Sequence, residues 1–171
     1  MTTLQILREE HAQDFFHLVQ ANKKVLDTWF TWFRDWKQYE DCVAFIQEDL
    51  QRFSRGERIP MGVWHGKELA GAWRVPLVDS EMKVAELTYW LGEEFRSRKL
   101  AKNISVALID FLFQHGIERI EVYCLPDNQR SARLAQSLGF KEEGRFREAF
   151  PVNGHRSDVI VRGLLKKYWK P

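Results

Sequence analysis

The sequence predicts a mixed α/β fold, with a central sheet of about seven strands flanked by helices. After a short N-terminal strand, two amphipathic helical patterns occur at Glu9 to Ala21 and at Tyr39 to Phe53. Three strand-like segments follow between Ile59 and Leu91. Helix and strand patterns then alternate to the end of the chain. Runs of this kind are typical of a sheet with helices packed on its faces.

The N-terminal elements are short apart from the two helices. Thr3 to Leu7 alternates between apolar and polar residues and predicts a strand. Leu26 to Trp36 is aromatic and irregular, which predicts one or two short helical turns. Ile59 to Trp64 and Glu68 to Val78 flank His65-Gly66-Lys67, which predicts a hairpin.

The remaining elements follow the same reasoning. Val84 to Leu91 alternates and predicts one continuous strand, after which a basic stretch opens a helix that runs to about Gln114. Asn-Gly within Pro151 to Gly154 is a hairpin signal. The last four segments are a strand at Arg119 to Leu125, a short helix capped by Asp127 or Asn128 and ending at Leu138, and strands at Lys141 to Phe150 and His155 to Leu165.

Length and composition favour one cytoplasmic domain over residues 1–171. No stretch reaches the ~18 consecutive apolar residues of a membrane span, and the N-terminus is not that of a signal peptide. The net charge is +2 with both signs interspersed, so no nucleic-acid partner is expected. Cys42 and Cys124 lack metal-ligand spacing and predict buried thiols, and the histidines are scattered, so no metal is expected.

The first candidate site is a strand, a basic turn and the start of a helix. The turn carries Arg96, Arg98 and Lys99 directly before the helix. The first N–H groups of a helix lack partners and attract anions, so basic side chains beside them suit a diphosphate. The alternative is a solvated positive turn without a ligand.

A second candidate site lies about 30 residues further along. It places Asn128 and Ser131 in the first turn of a short helix that ends at Gly139. In this order the two sites resemble the GNAT superfamily of N-acetyltransferases, and more closely its RimJ/RimL-type ribosomal-protein members. The resemblance is carried by AELTYWLGEEF, DNQRSARLAQSLGF and EEGRFREAFPVNGHRSDVIVRGLL, and it covers nearly the whole chain.

The resemblance implies a curved mixed sheet whose central strands splay apart to admit the pantetheine arm of acetyl-coenzyme A. It implies backbone hydrogen bonds from one strand to the pantetheine, amides around the basic turn on the pyrophosphate, and Asn128 and Ser131 near the pantetheine and sulfur. The implied cofactor-binding residues are Tyr89, Trp90, Leu91, Arg96, Arg98, Lys99, Leu100, Ala101, Lys102, Asn128 and Ser131.

Three positions depart from the family pattern. Lys99 stands where the pyrophosphate turn usually has its middle glycine, so its side chain either clashes with the phosphate or binds it through the ammonium group. Ala135 stands where many relatives have a tyrosine acid, which leaves Ser131 as the hydroxyl that protonates the leaving thiolate. Phe150 stands where RimL-like members often carry a glutamate, and Glu148, two residues earlier, is expected on the same face of the predicted strand.

The predicted chemistry is direct attack of an amine on a thioester. Glu86 is the first candidate for the general base and Glu148 the second, while the alternative for Glu86 is a structural pair with an arginine. Trp29, Trp32 and Phe150 are the candidates for contact with the acceptor. The aromatic residues Trp29, Phe30, Trp32, Phe33 and Trp36 could instead form a core lid over the sheet or a homodimer contact.

The predicted acceptor is a protein N-terminal α-amino group. Two alternatives stay open: acetylation of a small amine such as an amino-acid conjugate, polyamine or antibiotic, and binding of acyl-coenzyme A without turnover. Acceptor preference depends on loops rather than on the fold, so the sequence alone does not separate them.

Overall fold

The structure, a computed structural model, describes residues 1–79, 81–96, 99–152 and 154–170. These form two compact units: unit 1 is Met1–Pro76 with Tyr89–Leu100, and unit 2 is Leu77–Thr88 with Ala101–Pro171. The prediction of one domain over residues 1–171 stays a prediction. The strands are β1 (Thr2–Ile6), β2 (Arg58–His65), β3 (Glu68–Asp79), β4 (Val84–Glu86), β5 (Thr88–Leu91), β6 (Arg119–Cys124), β7 (Lys141–Val152) and β8 (His155–Leu165). The helices are α1 (Ala12–Trp29), α2 (Tyr39–Ser54), α3 (Leu100–Gln114) and α4 (Gln129–Ser137).

The described elements confirm the predicted mixed α/β class and the predicted order of helices and strands. The number of strands in the described chain is eight rather than about seven, because the segment from Val84 to Leu91 is not one strand. It breaks at Leu87 into β4 and β5. Leu87 is 3% exposed, and its N–H donates to the carbonyl of Glu121 at 2.8 Å.

Unit 1 consists of strands covered by two helices, and β2 is antiparallel to both of its neighbours. Strand β2 pairs with β1 and with β3, and β5 pairs with β3. Helix α1 continues to Trp29, so the prediction that it ends near Ala21 and that short turns follow was wrong over this stretch. The core is mostly aromatic and includes Phe15, Phe33, Trp36, Trp73 and Trp90, each less than 9% exposed.

Unit 2 contains the parallel pair of the fold. Strand β4 runs parallel to β6, β6 is antiparallel to β8, and β8 is antiparallel to β7. The pairing of β6 with β4 ends at Glu121, whereas its pairing with β8 continues to Cys124. The buried residues come from both helices and strands, among them Leu108, Ile109, Ile120, Val122, Leu138 and Leu164.

Both cysteines are free and buried, as the sequence predicts. Cys42 lies on α2 and Cys124 ends β6. Burial raises the pKa of the Cys42 thiol to about 12. Within the described residues, no helix is long and apolar enough to cross a membrane.

Candidate active site

Strand β5 carries three of the predicted cofactor residues in unit 1. Its first aromatic residue, Tyr89, stacks on Trp73 with ring centroids 5.1 Å apart. Trp90 is 6% exposed and lies 5.8 Å from the rings of both Phe15 and Phe33. The side chain of Trp90 is therefore packed in the core. A ligand beside β5 would be contacted by the backbone of this strand. This agrees with the predicted kind of contact, which stays a prediction.

Close approach of β3 holds β5 in place. Gly71 on β3 has no side chain, and an ideal Cβ built there would lie 2.9 Å from the Cα of Leu91 and closer still to the carbonyl oxygen of Trp90. Real Cβ atoms almost never approach backbone so closely. The position therefore requires glycine for steric reasons.

The turn after β5 is pinned by hydrogen bonds inside unit 1. The buried side chain of Asn22 accepts from the N–H of Glu93 at 2.9 Å. Arg96 donates from Nε to the carbonyl of Leu91 at 3.2 Å and from Nη1 to Glu93 Oε1 at 2.9 Å. The guanidinium of Arg96 thus braces its own turn. Arg98 lies outside the described residues.

Lys99 adopts the backbone conformation that glycine favours. Its φ is +56°, in the left-handed region, and α3 begins at the next residue. Leu100 is buried, whereas Lys99 and Lys102 are exposed. The left-handed geometry matches a turn whose family pattern has glycine at this position. The first amides of α3, at Leu100 and Ala101, have no carbonyl partner within the helix.

Replacing Lys99 by glycine separates its backbone role from its charge. We expect Lys99→Gly to raise the free energy of unfolding by up to about 1 kcal/mol, because the left-handed strain disappears. We also expect the KM for acetyl-coenzyme A to rise about threefold or more, because the ammonium group is lost. Thermal unfolding and steady-state kinetics measure the two effects.

Lys83 gives a matched control for this variant. It also has a φ of +56° but lies just before β4 in unit 2, outside the predicted cofactor residues. Lys83→Gly should therefore raise stability by a similar amount and leave the KM for acetyl-coenzyme A unchanged. A KM that is unchanged or lower in Lys99→Gly would exclude phosphate binding by the ammonium group.

Asn128 caps α4 in unit 2, which is the commoner role of an asparagine at this position. Its side-chain oxygen accepts from the N–H of Ser131 at 3.1 Å. Ser131 is half-buried, and its hydroxyl has no hydrogen-bond partner among the residues that the structure describes. An uncommitted hydroxyl can still donate to a ligand. The hydroxyl of Ser131 is thus available for the predicted acid role, which stays a prediction.

Glu86 lies at the end of β4 beside a second carboxylate that the sequence reasoning missed. It stands opposite Glu121 of β6 in the parallel register. The Thr88 hydroxyl donates to Glu86 Oε1 at 2.8 Å. Among the described residues no arginine pairs with Glu86, so the alternative of a structural arginine pair is not seen there. The spacing of Glu86 and Thr88, two residues apart in a strand-like segment, could have indicated this contact.

The Glu121 carboxylate is fully engaged. Arg119 donates from Nε to its Oε1 at 2.7 Å, and the Tyr123 hydroxyl donates to its Oε2 at 2.6 Å. Burial, followed by the hydrogen bond to Glu121, raises the pKa of Tyr123 to about 12. Arg119 also pairs with Glu143 and holds the pKa of that carboxyl below its usual range. Glu86 has the less committed carboxylate of the two.

Glu148 does not occupy the regular strand position that the sequence predicts. Its φ is +48°, and the pairing of β7 with β8 jumps there from Phe146–Val159 to Phe150–Ser157. Three residues of β7, 147–149, thus stand opposite the single residue Asp158 of β8, and regular alternation is lost. The expectation that Glu148 shares a strand face with Phe150 was therefore wrong. Its N–H donates to Asp158 at 2.8 Å, and its side chain is exposed.

The predicted acceptor residues differ in their surroundings. Trp29 ends α1 and is half-buried, and Trp32 is half-buried in the segment after it. Phe33 and Trp36 of the same segment are 0% and 6% exposed. The core-lid alternative therefore holds for Phe33 and Trp36, whereas Trp29 and Trp32 keep exposed surface. Phe150 is half-buried on β7 in unit 2.

Residues 2–141 match the family model described as an acetyltransferase (GNAT) domain. The chain belongs to the GNAT family. It is therefore an N-acetyltransferase that depends on acetyl-coenzyme A, as the sequence resemblance implies. Within the described residues, no group of three or more His, Cys, Asp or Glu side chains could hold a metal ion.

Relatives of this GNAT chain include enzymes that act on ribosomal proteins. The ribosomal-protein-serine acetyltransferase of Escherichia coli (strain K12) is 27% identical over 161 residues, which cover 91% of this chain and 88% of that protein. The uncharacterized N-acetyltransferase p20 of Bacillus licheniformis is 31% identical over 136 residues, which cover 79% of this chain and 76% of that protein. The structure of RimL, a ribosomal L7/L12 α-N-protein acetyltransferase in complex with coenzyme A, superimposes with a TM-score of 0.93 at 25% identity. The superposition covers 96% of this chain and 93% of the RimL chain.

Proposed function

We propose that this protein transfers the acetyl group of acetyl-coenzyme A to the N-terminal α-amino group of a protein, with ribosomal proteins as the acceptor class. The observation that carries the proposal is similarity over nearly the full length to acetyltransferases named for ribosomal-protein substrates. A ribosomal acceptor agrees with the cytoplasmic location that the sequence predicts. A homodimer contact through the aromatic segment stays a prediction.

The proposed cofactor residues occur in both units. In unit 1 they are the backbone of Tyr89, Trp90 and Leu91, and the turn residues Arg96, Lys99 and Leu100. In unit 2 they are Ala101, Lys102, Asn128 and Ser131. The start of α3 favours an anion because its first amides and its dipole are both positive there. The pyrophosphate is the anion that we assign to it.

The base in this proposal is Glu86. A peptide α-amine has a pKa of about 8, so a large fraction is protonated at neutral pH and must lose a proton before attack. The Thr88 hydroxyl orients the Glu86 carboxylate, and Oε2 is left to accept that proton directly or through a water molecule. Glu148 is the second candidate, on an exposed bulge.

The acid in this proposal is Ser131. The amine nitrogen bonds to the thioester carbonyl carbon, the C–S bond breaks, and the leaving thiolate takes the Ser131 hydroxyl proton. The nitrogen loses its second proton as the amide forms, and Ser131 regains a proton from it through solvent. A backbone N–H of β5 would polarise the carbonyl oxygen, which needs no special side chain. Holding amine and thioester together supplies much of the rate. The products are an N-acetylated terminus and coenzyme A with a free thiol.

A substrate panel tests the proposed function. Purified protein with acetyl-coenzyme A is offered peptides with free N-termini from ribosomal proteins, their N-terminally blocked counterparts, and small amines such as spermidine. We expect free thiol release and a mass increase for the unblocked peptides. Transfer to small amines alone would support the small-amine alternative. Binding of acetyl-coenzyme A without any acceptor-dependent thiol release would support the non-catalytic alternative.

Replacing Ser131 tests its acid role. We expect Ser131→Ala to lower kcat by roughly 10²–10⁴-fold, the usual contribution of general acid–base catalysis. Ser137→Ala is the matched control, because Ser137 lies on the same helix with an exposed side chain bonded to the carbonyl of Leu134. Its kcat should stay at the wild-type value. Full turnover in Ser131→Ala would remove that residue from the acid role.

A further inference from the structure

The aromatic segment after α1, residues 30–36, is fixed to that helix by polar contacts. The Lys23 ammonium group of α1 donates to the carbonyls of Phe33 at 2.5 Å and Arg34 at 3.1 Å. Arg34 in turn donates from Nε and Nη2 to the carbonyl of Asp27, at 3.2 and 3.1 Å. The segment is therefore tied to α1 at two consecutive residues, Phe33 and Arg34.

A second clamp acts on the ring of Trp32. The Arg74 guanidinium, on β3, has its carbon 4.3 Å from the centroid of the Trp32 ring and 4.5 Å from that of Phe45. Because a guanidinium is planar and weakly hydrated, it stacks on aromatic faces as an ammonium group does not. Trp32 therefore has a fixed neighbour in a segment that is otherwise exposed in part.

The guanidinium is itself locked from below. Arg74 donates to both carboxylate oxygens of Asp49, at 2.9 Å from Nε and 2.6 Å from Nη2. Asp49 is 1% exposed and also accepts from Arg58 at 2.5 Å. Burial lowers the pKa of Arg74, and the hydrogen bond to Asp49 opposes this shift. An arginine bonded twice to a buried carboxylate loses its rotational freedom.

We infer that Arg74 is a positioning residue that fixes Trp32 as a rigid wall for the acceptor and thereby sets acceptor affinity. The inference rests on the proposed function, in which Trp32 contacts the acceptor. The two clamps give Trp32 its orientation before the acceptor arrives, so the acceptor does not bear the cost of ordering it. Acetyl-coenzyme A is not contacted by Trp32 in this scheme, so its binding is independent of Arg74.

The first experiment compares Arg74→Lys with Arg58→Lys. Both keep a positive charge beside Asp49, but only Arg74→Lys removes the planar group from the Trp32 ring. We expect Arg74→Lys to raise the acceptor KM by roughly 5- to 30-fold, the range of a cation–π contact that is partly desolvated. The KM for acetyl-coenzyme A should stay within twofold of wild type, and Arg58→Lys should change neither constant.

A double-variant cycle identifies Trp32 as the residue through which Arg74 acts. Trp32→Leu should raise the acceptor KM at least as much as Arg74→Lys, and adding Arg74→Lys to it should change the acceptor KM no further. Additive effects, or equal effects of Arg74→Lys and Arg58→Lys, would overturn the inference in favour of general destabilisation.

A readout without turnover separates the inference from the proposed function. With 5-fluorotryptophan incorporated, the ¹⁹F resonance of Trp32 is assigned from its loss in Trp32→Phe. It should shift or broaden in Arg74→Lys and stay unchanged in Arg58→Lys. An unchanged resonance in Arg74→Lys would overturn positioning, even if the wild-type protein acetylates N-terminal peptides. Failure of the wild type to acetylate any N-terminal peptide would instead overturn the proposed function, and with it the acceptor part of the inference.

Discussion

Removal of the Asp49 carboxylate is expected to be strongly destabilising. Asp49→Ala leaves the guanidinium groups of Arg58 and Arg74, whose side chains are 14% and 13% exposed, without their shared partner. Breaking a buried ion pair by deleting one member typically costs about 3–5 kcal/mol. Because domains of ordinary stability unfold at about 5–15 kcal/mol, this variant should approach the limit of folding. Denaturant unfolding of both proteins measures the difference.

Two further variants interpret that result. Glu48→Ala, at the neighbouring helix position, removes an exposed pair with Arg52 and should cost no more than about 1 kcal/mol. Replacing all three charges together, as in Asp49→Leu with Arg58→Met and Arg74→Met, should recover much of the loss, since no buried charge is then left unpaired. A loss of less than about 1 kcal/mol in Asp49→Ala would contradict the importance of the cluster.

The sequence contained a signal for Asp49 that periodicity alone did not exploit. The buried residues of α2 are Cys42, Ile46 and Asp49, spaced four and three apart on one helical face. A charged residue in such a row requires a buried partner. Its partners, however, come from β2 and β3, and no local rule identifies which arginine of the sequence will reach it. The sequence could therefore predict that Asp49 needs a buried cationic partner, but not which residues provide it.

The break between β4 and β5 and the bulge at Glu148 were not predictable from pattern. Leu87 continues the alternation of its strand, so the sequence offers no sign that the pairing ends there. Glu148 has a positive φ without the glycine or asparagine that would normally announce it. Both are decided by how neighbouring strands pair, which is a property of the folded sheet rather than of the segment.

The turn before α3 shows the opposite case. The family pattern identified Lys99 as standing in a glycine position, and the structure gives it the left-handed φ that explains the pattern. The sequence likewise predicted a helix cap at Asp127 or Asn128, and in the structure it is Asn128 that accepts from the amide of Ser131. Local backbone chemistry is thus readable from sequence where a turn or a cap requires a particular residue type.

Substitution of Gly71 is expected to displace β5. The new methyl group of Gly71→Ala would press on the carbonyl of Trp90 and lie 2.9 Å from the Cα of Leu91, and backbone atoms have no rotamer by which to move away. The strand must shift, which pulls the buried Trp90 ring from Phe15 and Phe33. We expect a loss of about 3 kcal/mol in the free energy of unfolding, at the upper end for overpacking. Denaturant unfolding followed by tryptophan fluorescence measures it.

Gly144→Ala is the control that isolates the steric cause. Gly144 also lies in a strand, β7, but an added Cβ there would meet only a Val161 methyl carbon, at 3.4 Å. This variant should be within about 1 kcal/mol of wild type, because losing glycine flexibility in the unfolded chain offsets slight crowding. If β5 supplies the backbone hydrogen bonds to pantetheine, Gly71→Ala should raise the KM for acetyl-coenzyme A more than the acceptor KM, measured under conditions where the variant is folded. Equal stability of Gly71→Ala and Gly144→Ala would show that β5 moves to make room for the added methyl group. The close approach of β3 would then not be what fixes β5, the strand that carries the proposed cofactor contacts.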